Sequence, residues 1–285
     1  INVTHADLDK RAVFGDLRFR QAMSVAINRD EINDVAYFGL GVPKQFVPFS
    51  PSPDFVEDKW QQHFAQFDLD LAKKLLDEIG VVDKDGDGER DLPNGKKLVI
   101  NIQFATQGIP TEVVELVAQH WNNVGIKTLA KEITPDEYRS AQSSNQLDIM
   151  MWDTGTPLAI VLGFAEAFLP PYGGYFGVRN GMLWAEYVES NGAKGVKPPA
   201  YVNQLIDDIN GFQSARVGTP ESDAFGARLV ENHTGNLLMI GVVHGPSPIY
   251  HRNVLKNFAS FKTASYEYYR TYPYRPQQWF LTEKD

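Results

Sequence analysis

KLVINIQFATQGIPTEVVELVAQHWNNVGIKTLAKEITPDEYRSAQSSNQLDIMMW, residues 97–152, decides the fold class. Leu98, Ile100, Ile102 and Phe104 alternate with Lys97, Val99, Asn101 and Gln103, the period of two that turns one side of a strand toward a core. The period then changes. Thr111 can cap a helix whose buried stripe is Val113, Val114, Val117 and Trp121, and Gly125 stops it before a second strand over 126–133. Thr134-Pro135-Asp136-Glu137 is a capping box with proline at the first helical position, so another helix begins there and ends near Asn145. An apolar strand over 148–152 completes a β-α-β-α-β run with connections long enough for crossovers, and the expected class is α/β, a mixed sheet flanked by helices.

Upstream, Asp16 precedes Phe19, Ala22, Met23, Ala26 and Ile27, the spacing of an amphipathic helix. A short helix follows from Asp30 and ends at Gly39 and Gly41. Pro43, Pro48, Pro51 and Pro53 then forbid regular structure, giving an extended surface loop. Asp70 opens a helix with the stripe Leu71, Leu75, Leu76 and Ile79, and Gly80 ends it. Residues 155–199, rich in Gly, Pro and aromatics, carry little regular structure beyond a short helix at about 184–188. Helices resume over 202–212 and, after a Thr219 cap, over 220–233. A buried strand is expected over 237–243, and the last forty or so residues show no helical period.

The chain has 285 residues, 43% of them apolar, enough to fill a sizeable core. Its 27 basic and 36 acidic residues give a net charge of −9, which disfavours nucleic acid and anionic membrane surfaces as partners. There is no cysteine, which excludes disulfides and thiolate chemistry. No apolar run approaches the roughly 20 residues of a membrane span. The opening, 1–16, has no hydrophobic leader and reads as a connector into the first helix, the start of a fragment from a longer precursor.

Catalytic signatures are missing. The six histidines are scattered without an H-E-x-x-H pair, and there is no G-x-S-x-G elbow, Walker loop or G-x-G-x-x-G after a strand. A glycan hydrolase needs only two facing carboxylates, which any acidic chain permits on paper. One acidic motif has specific spacing. In DKDGDGERD, residues 83–91, Asp83, Asp85, Asp87, Glu89 and Asp91 with Gly88 match the first nine positions of a calcium loop, although Asn94 stands where the usual bidentate Glu would be. Calcium is therefore a candidate ligand, against the alternative of a solvated Asp/Gly turn. Trp152 closes the last expected strand and Asp153 follows, so an indole and a carboxylate emerge at a strand's C-terminal end, where α/β sheets place ligands. The indole can stack on a sugar ring or an apolar side chain, and the carboxylate can accept from hydroxyls or an ammonium. Tyr138 and Trp184 are further candidates for that wall. The alternative, Trp152 as core and Asp153 as a cap, stands beside it.

Three segments resemble the family 5 extracellular solute-binding proteins of ABC importers, the oligopeptide, dipeptide and oligosaccharide binders. FGDLRFRQAMSVAINRDEINDVAYFGLGVP, residues 14–43, is similar to that family's Phe-Arg-Gln-Ala-Leu-Ser helix, its Ala-Ile-Asn-Arg-Glu-Ile and its Tyr-x-Gly-x-Gly. DLDLAKKLLDEIGVVDKDGDGERDLPNGK, 68–96, is similar to its Leu-Leu-Asp-Glu-x-Gly helix and acidic Gly-rich turn. In HWNNVGIKTLAKEITPDEYRSAQSSNQLDIMMWD, 120–153, Trp121, Gly125, Ile126 and Trp152 match. The resemblance implies a type II periplasmic-binding-protein-like C-terminal lobe: 1–13 a connector from an N-terminal lobe, 14–255 the ligand-binding lobe, 256–285 a return to the first lobe. It implies a monomeric periplasmic or extracytoplasmic binding protein, not an enzyme, that serves an ABC permease. Peptide-binding members resemble one another in an Asp three residues after this tryptophan, and here that position is Gly155. An oligosaccharide is thus the expected ligand, with a peptide the alternative; Tyr138, Trp152, Asp153 and Trp184 would form this lobe's wall.

Overall fold

A computed structural model describes residues 1–48, 52–152, 180–245, 252–258 and 275–282. At its centre, β2 (Val99–Phe104) and β3 (Lys127–Glu132) pair in parallel, from Val99 opposite Lys127 to Phe104 opposite Glu132. The crossover is α5 (Thr111–Asn122), whose Val113, Val114, Val117 and Trp121 are buried. After β3, α6 (Pro135–Ser143) starts in the expected capping box: the Thr134 hydroxyl accepts from the Glu137 N–H while the Glu137 carboxylate accepts from the Thr134 N–H.

The expected strand over 148–152 makes no ladder. The Asn101 N–H, on the side of β2 away from β3, donates to the Asp148 carboxylate (2.9 Å), so a side chain takes the place that a carbonyl of the expected strand would hold. Another strand is shorter than expected. Over 237–243 the chain stays tied to the preceding helix, with the Leu237 and Leu238 N–H groups donating to Thr234 and His233. Only β4 (Val243–His244) pairs, antiparallel to β1 (Val42–Pro43).

The opening residues are packed against the rest of the chain. Asp7 caps α1 (Leu8–Gly15), and Asn2, Val3, Thr4 and Val13 are buried. Asn2 donates to Asn145 and the Leu147 carbonyl, and Asn145 returns a bond to the Thr4 carbonyl. Then come α2 (Leu17–Val25), capped by Asp16, α3 (Arg29–Tyr37), capped by Asn28, and α4 (Leu69–Glu78), capped by Asp68. Between α3 and α4 the proline-rich stretch is also more than a surface loop. Gln45 is buried there, donating to the Ser24 hydroxyl and the His63 carbonyl.

Among the described residues two large cores form. The first joins Phe19 and Met23 of α2, Leu76 of α4, Ile100 and Ile102 of β2, and Trp121 of α5. The second lies among α7 (Met182–Glu189), α8 (Ala200–Ser214) and α9 (Pro220–Gly235), where Trp184, Leu205, Phe212 and Leu229 meet. Near the chain's end, β5 (Leu255–Lys256) pairs antiparallel with β6 (Phe280–Leu281).

Candidate functional site

The C-terminal ends of parallel β2 and β3 open on one edge, where the turn over 105–110, the start of α6 and the stretch 150–152 come together. Trp152 is part-buried there, on a small cluster of Ala105, Tyr138 and Leu147. Its ring centroid lies 5.1 Å from that of Tyr138 at an interplanar angle of 39°. Tyr138 itself is 1% exposed and its hydroxyl donates to the Met151 carbonyl (3.1 Å). The expectation for Tyr138 is therefore corrected: the side chain is a buttress behind Trp152, because burial and the Met151 bond keep it from solvent.

Trp184 is corrected as well. It is 6% exposed, packs edge-on against Tyr201 and belongs to the second core, since the apolar side of α7 is covered by α8. Asp153 and Gly155 lie outside the described residues. The edge instead offers polar groups that sequence reasoning passed over. Thr106 and Gln107 come one residue after the end of β2, past buried Ala105, and are exposed, and the Thr106 hydroxyl donates to the Glu132 carboxylate at the end of β3 (3.0 Å). Their signal is the run Thr106-Gln107-Gly108-Ile109-Pro110, a polar turn placed where a strand stops.

The stretch carrying Trp152 is anchored by Asp148, which is 6% exposed. His5 Nε2 and Lys10 Nζ lie 2.8 and 2.9 Å from its oxygens, and the Asn101 N–H donates at 2.9 Å. His5 Nδ1 accepts from the Asp7 N–H, so Nε2 carries the proton given to Asp148. Burial pushes the Asp148 carboxyl up, but these hydrogen bonds and the Lys10 charge outweigh it and hold the pKa at about 2, below the ordinary 3.8. A depressed carboxyl stabilises the fold above its unfolded value and loses that contribution as pH falls. We expect about 2 kcal/mol of stability to vanish between roughly pH 4 and pH 2. Asp148→Asn should remove this step from a plot of unfolding free energy against pH; a variant that keeps the full step would place it elsewhere.

The acidic turn closes on itself. Asp83 accepts from the Gly86 and Gly88 N–H groups, Asp87 from Glu89, and buried Asp91 from Lys84. Asp83, Asp85 and Asp91 each bring an oxygen within 4.8 Å of the others, a spacing that fits a cation. The Lys97 ammonium already lies among the carboxylates, 2.8, 2.6 and 3.4 Å from Asp85, Asp87 and Asp91. Asp85 and then Asp87 hold that ammonium well above its usual pKa. Glu89 leaves the group for Lys127 (2.6 Å). The five carboxylates thus do not converge as a calcium set, because two lysines divide them; an ion would have to displace Lys97.

The profile of the bacterial extracellular solute-binding proteins, family 5 Middle, matches residues 1–175. The chain belongs to this family. A probable ABC transporter-binding protein of Deinococcus radiodurans is 30% identical to this family 5 protein over 119 residues, 41% of this chain and 20% of that protein. Among solved structures, an oligopeptide-binding protein OppA is 27% identical with a TM-score of 0.78, covering 99% of this chain and 46% of that one. The periplasmic binding protein MelB of Agrobacterium fabrum in complex with stachyose is 18% identical, TM-score 0.63, over 83% of this chain and 35% of that one. The family 5 chain therefore spans less than half the length of these two structures. Its fold is α/β and of the type II periplasmic binding protein kind, as expected. Among the described residues no helix is long and apolar enough to cross a membrane.

Proposed function

We propose that this family 5 chain is the C-terminal, ligand-binding lobe of a periplasmic or otherwise extracytoplasmic solute-binding protein that delivers an oligosaccharide to an ABC permease. It performs no chemistry. The observation that carries the reading is a part-buried indole, Trp152, held at the C-terminal edge of a parallel strand pair that also presents exposed Thr106, Gln107 and Glu132. Such an edge is where α/β folds bind ligands, and an indole beside hydroxyl, amide and carboxylate groups suits a sugar ring and its hydroxyls. Asp153 would add a second carboxylate to this wall. In a two-lobed protein the ligand would be enclosed by hinge closure. The second reading, an oligopeptide, is favoured by the 27% identity to OppA over 99% of the chain.

Thermal-shift and calorimetric titrations with stachyose, mannohexaose and trialanine separate the two, since a ligand bound only by the native state raises its melting point. Stabilisation by the sugars alone supports the proposal, whereas stabilisation by trialanine alone transfers it to peptides. Release of new reducing ends from the sugars would mean a hydrolase. Trp152→Ala should weaken the bound probe by ~1 to 3 kcal/mol, about fivefold to 150-fold. Unchanged affinity would take Trp152 out of the site.

A further inference from the structure

Gly108 has no conformational reason to be glycine. Its backbone is outside the left-handed region, and its N–H closes an ordinary turn onto the Ala105 carbonyl (2.9 Å). The neighbouring indole supplies the reason. A Cβ on Gly108 would overlap three adjoining ring carbons of Trp152, Cδ2, Cε3 and Cε2, so the backbone of the 105–110 turn lies directly against the ring system. The indole has little room to retreat, because Tyr138 packs on it, is 1% exposed and is tied through its hydroxyl to Met151. The turn is likewise held between the end of β2 and the start of α5.

We propose that Gly108 is a positioning residue that sets the pose of the Trp152 indole, and through it the ligand preference of this edge. The inference rests on the ligand reading above and adds that the missing side chain on the β2–α5 turn decides how far the indole stands out from the strand ends. Any side chain at 108 must push the indole outward or lift the turn carrying Thr106 and Gln107. Either movement changes the separation between the stacking surface and the polar groups, which a sugar or peptide must span together. Ligand recognition depends on such separations at the level of about an ångström.

The test uses protein labelled with 5-fluorotryptophan, whose five tryptophans give resolvable fluorine resonances. Trp152→Phe identifies the resonance of Trp152 by its loss. Gly108→Ala should displace that resonance without moving those of the other tryptophans, and should weaken whichever of stachyose or trialanine the parent binds by about tenfold or more. Gly15→Ala, at a glycine with open space around it, should do neither. Should Gly108→Ala fold poorly, Gly108→Ala with Trp152→Phe gives the smaller ring room for the new Cβ, and the pair should melt closer to Trp152→Phe alone than additivity allows. An unmoved Trp152 resonance, an unchanged affinity, or strict additivity in the pair overturns the proposal. If neither probe perturbs the Trp152 resonance of the parent, the ligand reading at this edge fails and the role in preference goes with it, while a displaced resonance in the ligand-free variant would leave Gly108 as a packing contact only.

Discussion

Replacing Arg29 with Met should destabilise the fold by about 4 kcal/mol, seen as a lowered midpoint in urea unfolding. Arg29 is 3% exposed, and its guanidinium bonds entirely to uncharged groups: the carbonyls of Gly241, Ser24 and Ala65, and the Ser24 hydroxyl, all at 2.9 or 3.0 Å. Burial lowers its pKa to about 10, which still leaves it charged at neutral pH. Each buried acceptor stripped of its donor costs ~1 to 3 kcal/mol, and the bonds tie α2, α3, the turn at Ala65 and the approach to β4 into one unit. Arg29→Lys should recover little, because a point ammonium cannot reproduce the planar fork that reaches these acceptors at once. A loss below ~1 kcal/mol for Arg29→Met, the range of ordinary surface substitutions, would show that water replaces the guanidinium.

Trp121→Ala should cost about 5 kcal/mol. Its indole is buried in the first core, where truncating a large aromatic costs ~3 to 5 kcal/mol, and its N–H donates to the Met23 carbonyl (3.0 Å), a bond worth ~1 kcal/mol more. Trp121→Phe keeps much of the volume and loses the bond, so its cost should be about 2 kcal/mol. Equal losses in the two variants would place the effect in the hydrogen bond; a loss under ~1 kcal/mol in Trp121→Ala would mean that α2 and α5 close over the cavity. The comparison is read from midpoints at constant denaturant slope, so that changes in the unfolded ensemble are not counted as lost contacts.

Arg29 and Trp121 differ in how visible they are in the sequence. Trp121 continues a helical stripe, and stripes are legible because periodicity depends on neighbours three and four residues apart. Arg29 reads as a charged residue at a helix start, and the carbonyls that hold it come from positions as distant as Ala65 and Gly241. Asp148 makes the same point in the candidate site. Its apolar surroundings suggested a strand, yet its carboxylate takes the N–H of Asn101 and gathers His5 and Lys10 from the opening segment, so the place of a third strand is held by a side chain.

The α/β class, the β2–α5–β3 crossover, the capping box at Thr134, most helix positions and the family were legible before folding, because local periods, caps and dense motifs need no partner to be read. The sequence put Trp152 at the end of a strand over 148–152 that forms no ladder, whereas the edge on which the indole lies is that of β2 and β3. That Tyr138 stands behind Trp152, that Trp184 belongs to another core, that Lys97 and Lys127 divide the acidic turn, and that Gly108 lies against the indole emerged with the folded chain alone. Each of these depends on which surfaces meet after the chain has folded back on itself. The exposure of an aromatic ring and the counter-ion of a carboxylate are properties of that meeting, and no local period encodes them.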